Sequence, residues 1–106
     1  MFEKVLIVRF SSIGDIIFTT AVIEGLKSQY PHCEIDYLTL GNFSQILEGH
    51  PHIKRIILLD RKASFGRLRE LSSNLDKEDY SHVFDLHGSL RSGIIRRGMR
   101  SPSSVF

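Results

Sequence analysis

The chain opens its regular structure with Lys4-Val5-Leu6-Ile7-Val8-Arg9-Phe10-Ser11-Ser12-Ile13-Gly14-Asp15. Its first seven residues contain the uninterrupted apolar run Val5–Val8, rich in β-branched side chains, which is typical of a strand buried on both faces of a parallel sheet. Phe18, Val22 and Leu26 then recur every four residues. This spacing predicts a helix from about Asp15, which Pro31 stops. The stretch therefore predicts a strand, a short polar loop and a helix.

The rest of the sequence continues this alternation of strands and helices. Strands are predicted over residues 34–40, 54–60 and 82–86, and helices over about 43–48, 64–76 and 89–98. The order predicts an α/β fold with a Rossmann-like parallel sheet, right-handed crossovers and helices on both faces. The tail from residue 99 to residue 106 has no periodicity and is predicted to be frayed. We therefore expect one incomplete Rossmann-like domain over residues 1–98.

Length and composition exclude several classes of protein. The 106 residues are 42% hydrophobic and 25% charged, which fits one small globular domain. The longest aliphatic run, residues 5–8, is far shorter than the ~20 residues that span a bilayer. Charged residues inside the apolar N-terminal stretch exclude a secretory signal. Cys33 is the only cysteine, so neither an internal disulfide nor a cysteine-based zinc site is expected, and a reducing cytosol fits.

The small net charge of +2 is unevenly distributed along the chain. Residues 1–60 hold five basic and seven acidic residues, whereas residues 61–106 hold nine and five. Arg91, Arg96, Arg97 and Arg100 follow one another without an acid between them, a pattern compatible with a phosphate, a lipid headgroup or nucleic acid. A solvated helix face is the simpler interpretation. Nucleic acid is not expected as a partner, because no aromatic residue is interleaved to stack on bases.

The loop after the first strand is the first candidate site. Its Ser11, Ser12 and Gly14 allow a sharp turn and close approach of a ligand, and the helix that follows offers free N–H groups to an anion. Asp15 occupies that helix start itself, and capping of the helix by Asp15 or Ser12 is an equally good interpretation. The loop has neither the glycine pattern of a dinucleotide fingerprint nor that of a P-loop.

The loop after the fourth strand, Asp85-Leu86-His87-Gly88-Ser89-Leu90-Arg91-Ser92, is the second candidate. It combines a carboxylate, an imidazole, hydroxyls and a guanidinium within eight residues. Gly88 permits the turn and Ser89 is suited to cap the next helix, which places Arg91 in its first turn, where it can bind an anionic group. A capped β-turn with a surface arginine is the structural alternative. The other histidines and carboxylates lack metal-ligand spacing, so no metal is expected.

These two loops, in this order on this strand pattern, resemble glycosyltransferase family 9, the ADP-heptose:lipopolysaccharide heptosyltransferases. The resemblance covers about residues 3–97. It is carried by the N-terminal stretch to Ile16, by Thr20-Ala21-Val22 with Leu26 and Tyr30-Pro31, by Glu34-Ile35-Asp36-Tyr37-Leu38, by Leu47-Glu48-Gly49-His50-Pro51-His52-Ile53, and by Asp85-Leu86-His87-Gly88-Ser89-Leu90-Arg91-Ser92.

The resemblance implies the N-terminal half of a GT-B architecture, in which two Rossmann-like domains face a cleft. It implies an inverting, metal-independent transfer of heptose from ADP-heptose to the lipopolysaccharide inner core, with no cofactor. It further implies that Asp15 is the general base. The expected acceptor-binding residues are Ser11, Ser12, Gly14, His87, Gly88, Ser89, Arg91 and Ser92.

The chain departs from the family in length, because a two-domain enzyme needs at least twice as many residues. The donor-binding domain is missing, so we expect no transfer by this chain alone. Unpaired strands at a sheet edge would favour self-association. The expected location is cytoplasmic, peripheral at the inner face of the inner membrane. The alternative function is a non-catalytic module that binds a phosphate, a nucleotide or a glycan.

Overall fold

The computed structural model describes residues 2–106. The strands are β1 (Lys4–Val8), β2 (Glu34–Leu40), β3 (Arg55–Leu59), β4 (His82–Asp85) and β5 (Ser103–Val105). The helices are α1 (Ile13–Gln29), α2 (Ser44–Leu47), α3 (Phe65–Asp76) and α4 (Leu90–Arg97), and a 3-10 turn at Gly41–Phe43 precedes α2. The predicted order of strands and helices is confirmed up to α4, with ends shifted by one or two residues.

The five strands form one parallel sheet in the order β3-β2-β1-β4-β5. The apolar first strand lies at its centre, where Val5 pairs with Ile35 on one side and with His82 on the other. Chain order runs outward from β1 to β3 and then returns across β1 to β4. In open α/β sheets the crevice at such a reversal, beside the carboxyl ends of the strands, is where ligands bind. The Rossmann-like fold is thus confirmed.

Helices cover both faces of the sheet, as predicted. On one face Val5 and Ile7 of β1 pack with Ile16 and Ile23 of α1 and Leu47 of α2. The opposite face packs β1 and β2 against α3 and α4, through Leu6, Val8, Leu38, Leu68, Leu75 and Ile95. Alternate residues of β1 therefore enter different cores, which is why residues 5–8 are apolar at consecutive positions.

Helix α1 exists as predicted, but part of the four-residue repeat that predicted it faces outward. Ile16, Thr19 and Ile23 are its buried residues, whereas the Phe18 side chain is 73% exposed. The helix is apolar on more than one face, so periodicity alone does not select the core side. Its exposed apolar side bounds the cavity described below.

The prediction of a frayed C-terminal tail is wrong. Residues Ser103–Val105 form β5, which extends the sheet beside β4. Backbone hydrogen bonds from Val83 N to Pro102 O (2.9 Å) and from Phe106 N to Asp85 O (3.0 Å) hold both ends of this pairing. Three residues are too few to show a strand periodicity in the sequence. The strand forms because β4 has an edge with which this segment can pair.

Within the described residues, none of the helices combines the length and apolar character that crossing a membrane requires.

Candidate functional site

The two polar loops predicted from the sequence meet at the carboxyl ends of β1 and β4. Arg9 Nη1 donates a hydrogen bond to Leu86 O at 2.7 Å. Phe10 N donates to His87 Nδ1 at 3.3 Å, and the two rings lie 4.7 Å apart. Because β1 and β4 are adjacent parallel strands, their ends place Ser11–Asp15 next to Leu86–Ser89. The resulting pair of loops is the candidate site.

Asp15 presents its carboxylate in the first turn of α1. Its Oδ2 atom accepts hydrogen bonds from Arg9 Nη2 at 2.7 Å and from Ser12 Oγ at 3.0 Å. The Ser12 hydrogen bond and the positive charge of Arg9 hold the pKa of Asp15 below its ordinary value, against a smaller opposing effect of burial. The carboxylate is 58% exposed. The site therefore offers solvent an ionised carboxylate at neutral pH.

The sequence allowed the Ser12 side chain to cap α1, but the structure shows no such hydrogen bond at the start of this helix. Ser12 occupies the cap position, but its hydroxyl forms no hydrogen bond to a helix N–H and donates to Asp15 instead. Gly14 is exposed, and a Cβ at this position would meet nothing within 4 Å. Ser11 is half-buried. The surface in front of Gly14 is therefore open to a ligand that approaches Asp15.

His87 is a half-buried imidazole at the same edge. Burial, followed by the charge of Arg9, lowers the pKa of His87, while the charges of Asp85 and Asp15 oppose this effect. Since Nδ1 accepts the hydrogen bond from Phe10 N, the neutral ring carries its proton on Nε2. His87 is therefore arranged as a hydrogen-bond donor.

The turn that carries His87 is held by the buried carboxylate of Asp85. Its Oδ1 accepts hydrogen bonds from His87 N (3.1 Å) and Gly88 N (2.9 Å). Its Oδ2 accepts from Ser92 Oγ (2.9 Å) and Arg96 Nε (3.2 Å). The turn needs the positive φ of +63° that Gly88 adopts. Asp85 is fully buried, and these four donors compensate its charge.

Ser89 caps α4, as predicted, in a capping box with Ser92. Ser89 Oγ accepts from Ser92 N at 3.1 Å, and Ser92 Oγ accepts from Ser89 N at 2.9 Å. Ser92 is buried. The contact of Ser92 with an acceptor stays a prediction. The structure does not support it, because the Ser92 hydroxyl already bonds to Ser89 and Asp85.

Arg91 points away from Asp15 and braces the loop between β3 and α3. Its Nη1 donates to Arg61 O at 2.6 Å and its Nη2 to Ala63 O at 2.8 Å. Arg96 pairs with Asp85, and Arg100 pairs with Asp76 at 3.1 Å. Most of the arginine cluster therefore serves internal contacts. An acceptor contact by Arg91 stays a prediction.

Two residues of the site were not among the predicted base and acceptor-binding residues. Arg9 links the two loops, and Asp85, named above only as the carboxylate of the second loop, supports its turn. The sequence signals for these two residues are their positions: Arg9 directly follows the buried strand β1, and Asp85 is the last residue of β4. Both residues lie at the carboxyl edge of the sheet, where such charges meet. Arg9 contacts Leu86, which is 77 positions away in the sequence, and Asp85 contacts the turn that directly follows it. The sequence does not show either pairing.

A cavity of about 410 Å³ extends from the Arg9–Asp15 pair along α1. Its other lining residues are mainly apolar: Phe18, Thr19, Val22, Phe84, Leu86 and Phe106. The candidate base thus stands at the polar end of an apolar depression. Among residues 2–106, no group of three or more histidine, cysteine, aspartate or glutamate residues is arranged to hold a metal ion.

Comparison with curated proteins finds relatives over most of the chain. It is 32% identical over 96 residues to the lipopolysaccharide heptosyltransferase 1 of Campylobacter coli and 29% identical over 103 residues to that of Pseudomonas aeruginosa. These matches take in 89% of this chain but only 28% and 29% of the relatives. The chain therefore spans less than a third of the curated relatives it matches. No family model matches it.

Solved structures also match nearly the whole of this chain, but only about a third of their own length. A family 9 glycosyltransferase from Veillonella parvula superimposes with a TM-score of 0.88 at 24% identity, covering 97% of this chain and 32% of that one, which supports the fold. The heptosyltransferase WaaC of Escherichia coli, solved with ADP, gives a TM-score of 0.80 at 26% identity, covering 97% of this chain and 35% of WaaC. The resemblance to heptosyltransferases inferred from the two loops is confirmed over nearly the whole chain.

Proposed function

We propose that this chain, similar to heptosyltransferases along almost its entire length, is the acceptor-side domain of a glycosyltransferase that transfers heptose from ADP-heptose to the lipopolysaccharide inner core. The observation that carries the proposal is the ionised, exposed carboxylate of Asp15 at the edge where both polar loops meet. The remaining two thirds of such an enzyme would bind the nucleotide sugar. Alone, the chain binds acceptor and does not transfer.

Asp15 suits the role of general base because of its position and charge. An acceptor hydroxyl must lose its proton as its oxygen attacks the sugar carbon, and a carboxylate within hydrogen-bond reach can take that proton. The low pKa of Asp15 makes it a weak base that is fully ionised at neutral pH. Such a base fits a reaction in which a diphosphate, a good leaving group, departs with the electrons of the broken bond.

His87 suits the role of an orienting donor in the same step. Its Nδ1 is held by Phe10 N, so its Nε2–H is the group that remains for a sugar oxygen. A neutral imidazole adds direction without adding a charge that would compete with Arg9 for Asp15. The Ser11–Gly14 segment contributes the open surface beside the carboxylate.

The acceptor would meet the chain where lipopolysaccharide is assembled, at the inner face of the inner membrane, and the domain would work from the cytoplasmic side. The sheet ends in two edge strands among the described residues, β3 and β5. Without a partner domain, an exposed edge favours pairing with a second copy of the chain.

Binding to the isolated chain tests the proposal. Calorimetric titration with a lipopolysaccharide inner-core oligosaccharide is expected to show binding, whereas ADP is expected to show none. His87→Leu removes the Nε2–H donor and is expected to weaken oligosaccharide binding about fivefold, because a hydrogen bond contributes ~1 kcal/mol. His32→Leu, at an exposed position before β2, is the matched control. Binding of ADP without oligosaccharide would identify a nucleotide module instead.

A further inference from the structure

We infer that Arg9 is a positioning residue that fixes the carboxylate of Asp15, so that Oδ2 serves as the anchored atom and Oδ1 as the atom that receives the acceptor's proton. The inference rests on the proposed function and adds to it the choice of the reacting oxygen.

The two oxygens of Asp15 have different surroundings. Oδ2 accepts two hydrogen bonds, from Arg9 Nη2 at 2.7 Å and from Ser12 Oγ at 3.0 Å. Among residues 2–106, no side chain donates a hydrogen bond to Oδ1, and the only backbone group that interacts with the carboxyl is that of Ser12, which also lowers the pKa of Asp15. Two donors, one of them charged, occupy the lone pairs of Oδ2 and reduce its affinity for a proton. Oδ1 is therefore the oxygen free to meet a hydroxyl.

Arg9 is held firmly enough to act as an anchor. Its Nη1 donates to Leu86 O at 2.7 Å, so the guanidinium bridges the end of β4 and the start of α1. Its side chain is only 21% exposed, so the protein around it limits its movement. Rotation of the Asp15 carboxylate would break the charged hydrogen bond to Nη2, which keeps Oδ1 directed outward.

The proton transfer balances with these assignments. The O–H bond of the acceptor hydroxyl breaks and an O–H bond forms at Oδ1, while the electron pair left on the hydroxyl oxygen forms the new bond to the sugar carbon. The bond from that carbon to the diphosphate oxygen breaks, and its electron pair leaves with the diphosphate. The positive charge of Arg9 lowers the basicity of the carboxylate, so the arginine contributes orientation at the expense of base strength.

Carbon-13 NMR titration of the Asp15 carboxyl in the 106-residue chain tests the anchor. Arg9→Gln is expected to raise the pKa of Asp15, and Arg9→Lys to restore part of the difference. The imidazole of His87, the other titrating group close to Asp15, is followed in the same spectra. Lys54→Gln is the control, because Lys54 pairs with Glu34 at 2.7 Å and its removal should raise the Glu34 pKa and leave the Asp15 pKa unchanged. A folded Arg9→Gln variant with an unchanged Asp15 pKa overturns the anchor.

The second measurement follows the guanidinium protons of Arg9 while the inner-core oligosaccharide is added. If Oδ1 meets the acceptor, exchange of the Arg9 Nη protons stays slow in the bound state. Faster exchange on binding shows that the sugar displaces Arg9 from Oδ2, which overturns the assignment of oxygens. Absence of binding contradicts the proposed function and the assignment together, whereas the anchoring by Arg9 is decided by the titration alone.

Discussion

The carboxylate of Asp15 and the imidazole of His87 are the residues that sequence reasoning located best. Both stand in loops whose polar density and position after a strand can be seen locally, and the parallel order of the strands brings them to one edge. Arg9 links the two loops through Leu86, and that contact depends on which strands are neighbours, information that only the folded sheet supplies. Asp85 has its partners in the turn and helix directly after β4, and its role depends on how that turn folds back onto its carboxylate.

At this scale the histidines predict how stability depends on pH. Burial lowers the pKa of both His87 and His82 below 6.5. As pH falls through 6.5, the unfolded chain therefore takes up protons at these sites before the folded chain does. We expect the free energy of unfolding, measured by urea denaturation, to fall as pH is lowered through this range. The double variant His82→Gln/His87→Gln should flatten that dependence, and an unchanged slope would show that other groups cause it.

Among the elements, those with local signals were predicted and those defined by pairing were not. The predicted bounds of α3 and α4 are right to within one residue, and Ser89 caps α4 as predicted. Ser64, which was not predicted as a cap, accepts a hydrogen bond from Arg67 N at the start of α3. The tail was predicted to be frayed because Ser103–Val105 lacks any pattern of its own. Its strand exists because the backbone of β4 provides a free edge.

The turn between β4 and α4 yields a prediction at the scale of an element. Gly88 adopts φ +63°, and a Cβ there would lie 3.4 Å from Phe106 O. Gly88→Ala is expected to lower the free energy of unfolding by roughly 1–2 kcal/mol, because the left-handed conformation opposes a side chain. Gly66→Ala in the first turn of α3, where the nearest atom is 3.7 Å away, is the control and should leave stability unchanged or higher. Equal stability of the two variants would contradict the strained turn.

The whole molecule exposes apolar surface along one side of α1 and at the end of β5. Phe18 and Phe106 are 73% and 74% exposed, and both line the cavity that ends at Asp15. The edge strand β5 ends directly before Phe106. On β5, Pro102 O and Phe106 N bond to β4, so the backbone groups of the alternating residues Ser103 and Val105 face outward.

These outward groups predict self-association of the isolated chain. Sedimentation velocity is expected to show a molecular mass that rises with concentration. Val105→Lys places a charge at the free edge and should shift the chain toward the monomer, because lysine on an edge strand opposes pairing. Ser73→Lys, at an exposed position on α3, carries the same charge change and should have no effect. A wild-type chain that stays monomeric at all concentrations would contradict the prediction.

Transfer activity restored in a chimera tests the role of Asp15 most directly. This chain would replace the matching third of the Escherichia coli heptosyltransferase, and formation of the heptosylated inner core from ADP-heptose would be followed. We predict that the chimera transfers heptose and that Asp15→Asn lowers kcat by about 10²–10⁴-fold, the usual contribution of a general base, with little change in acceptor KM. Undiminished kcat in the Asp15→Asn chimera would contradict the assignment of this carboxylate as the base.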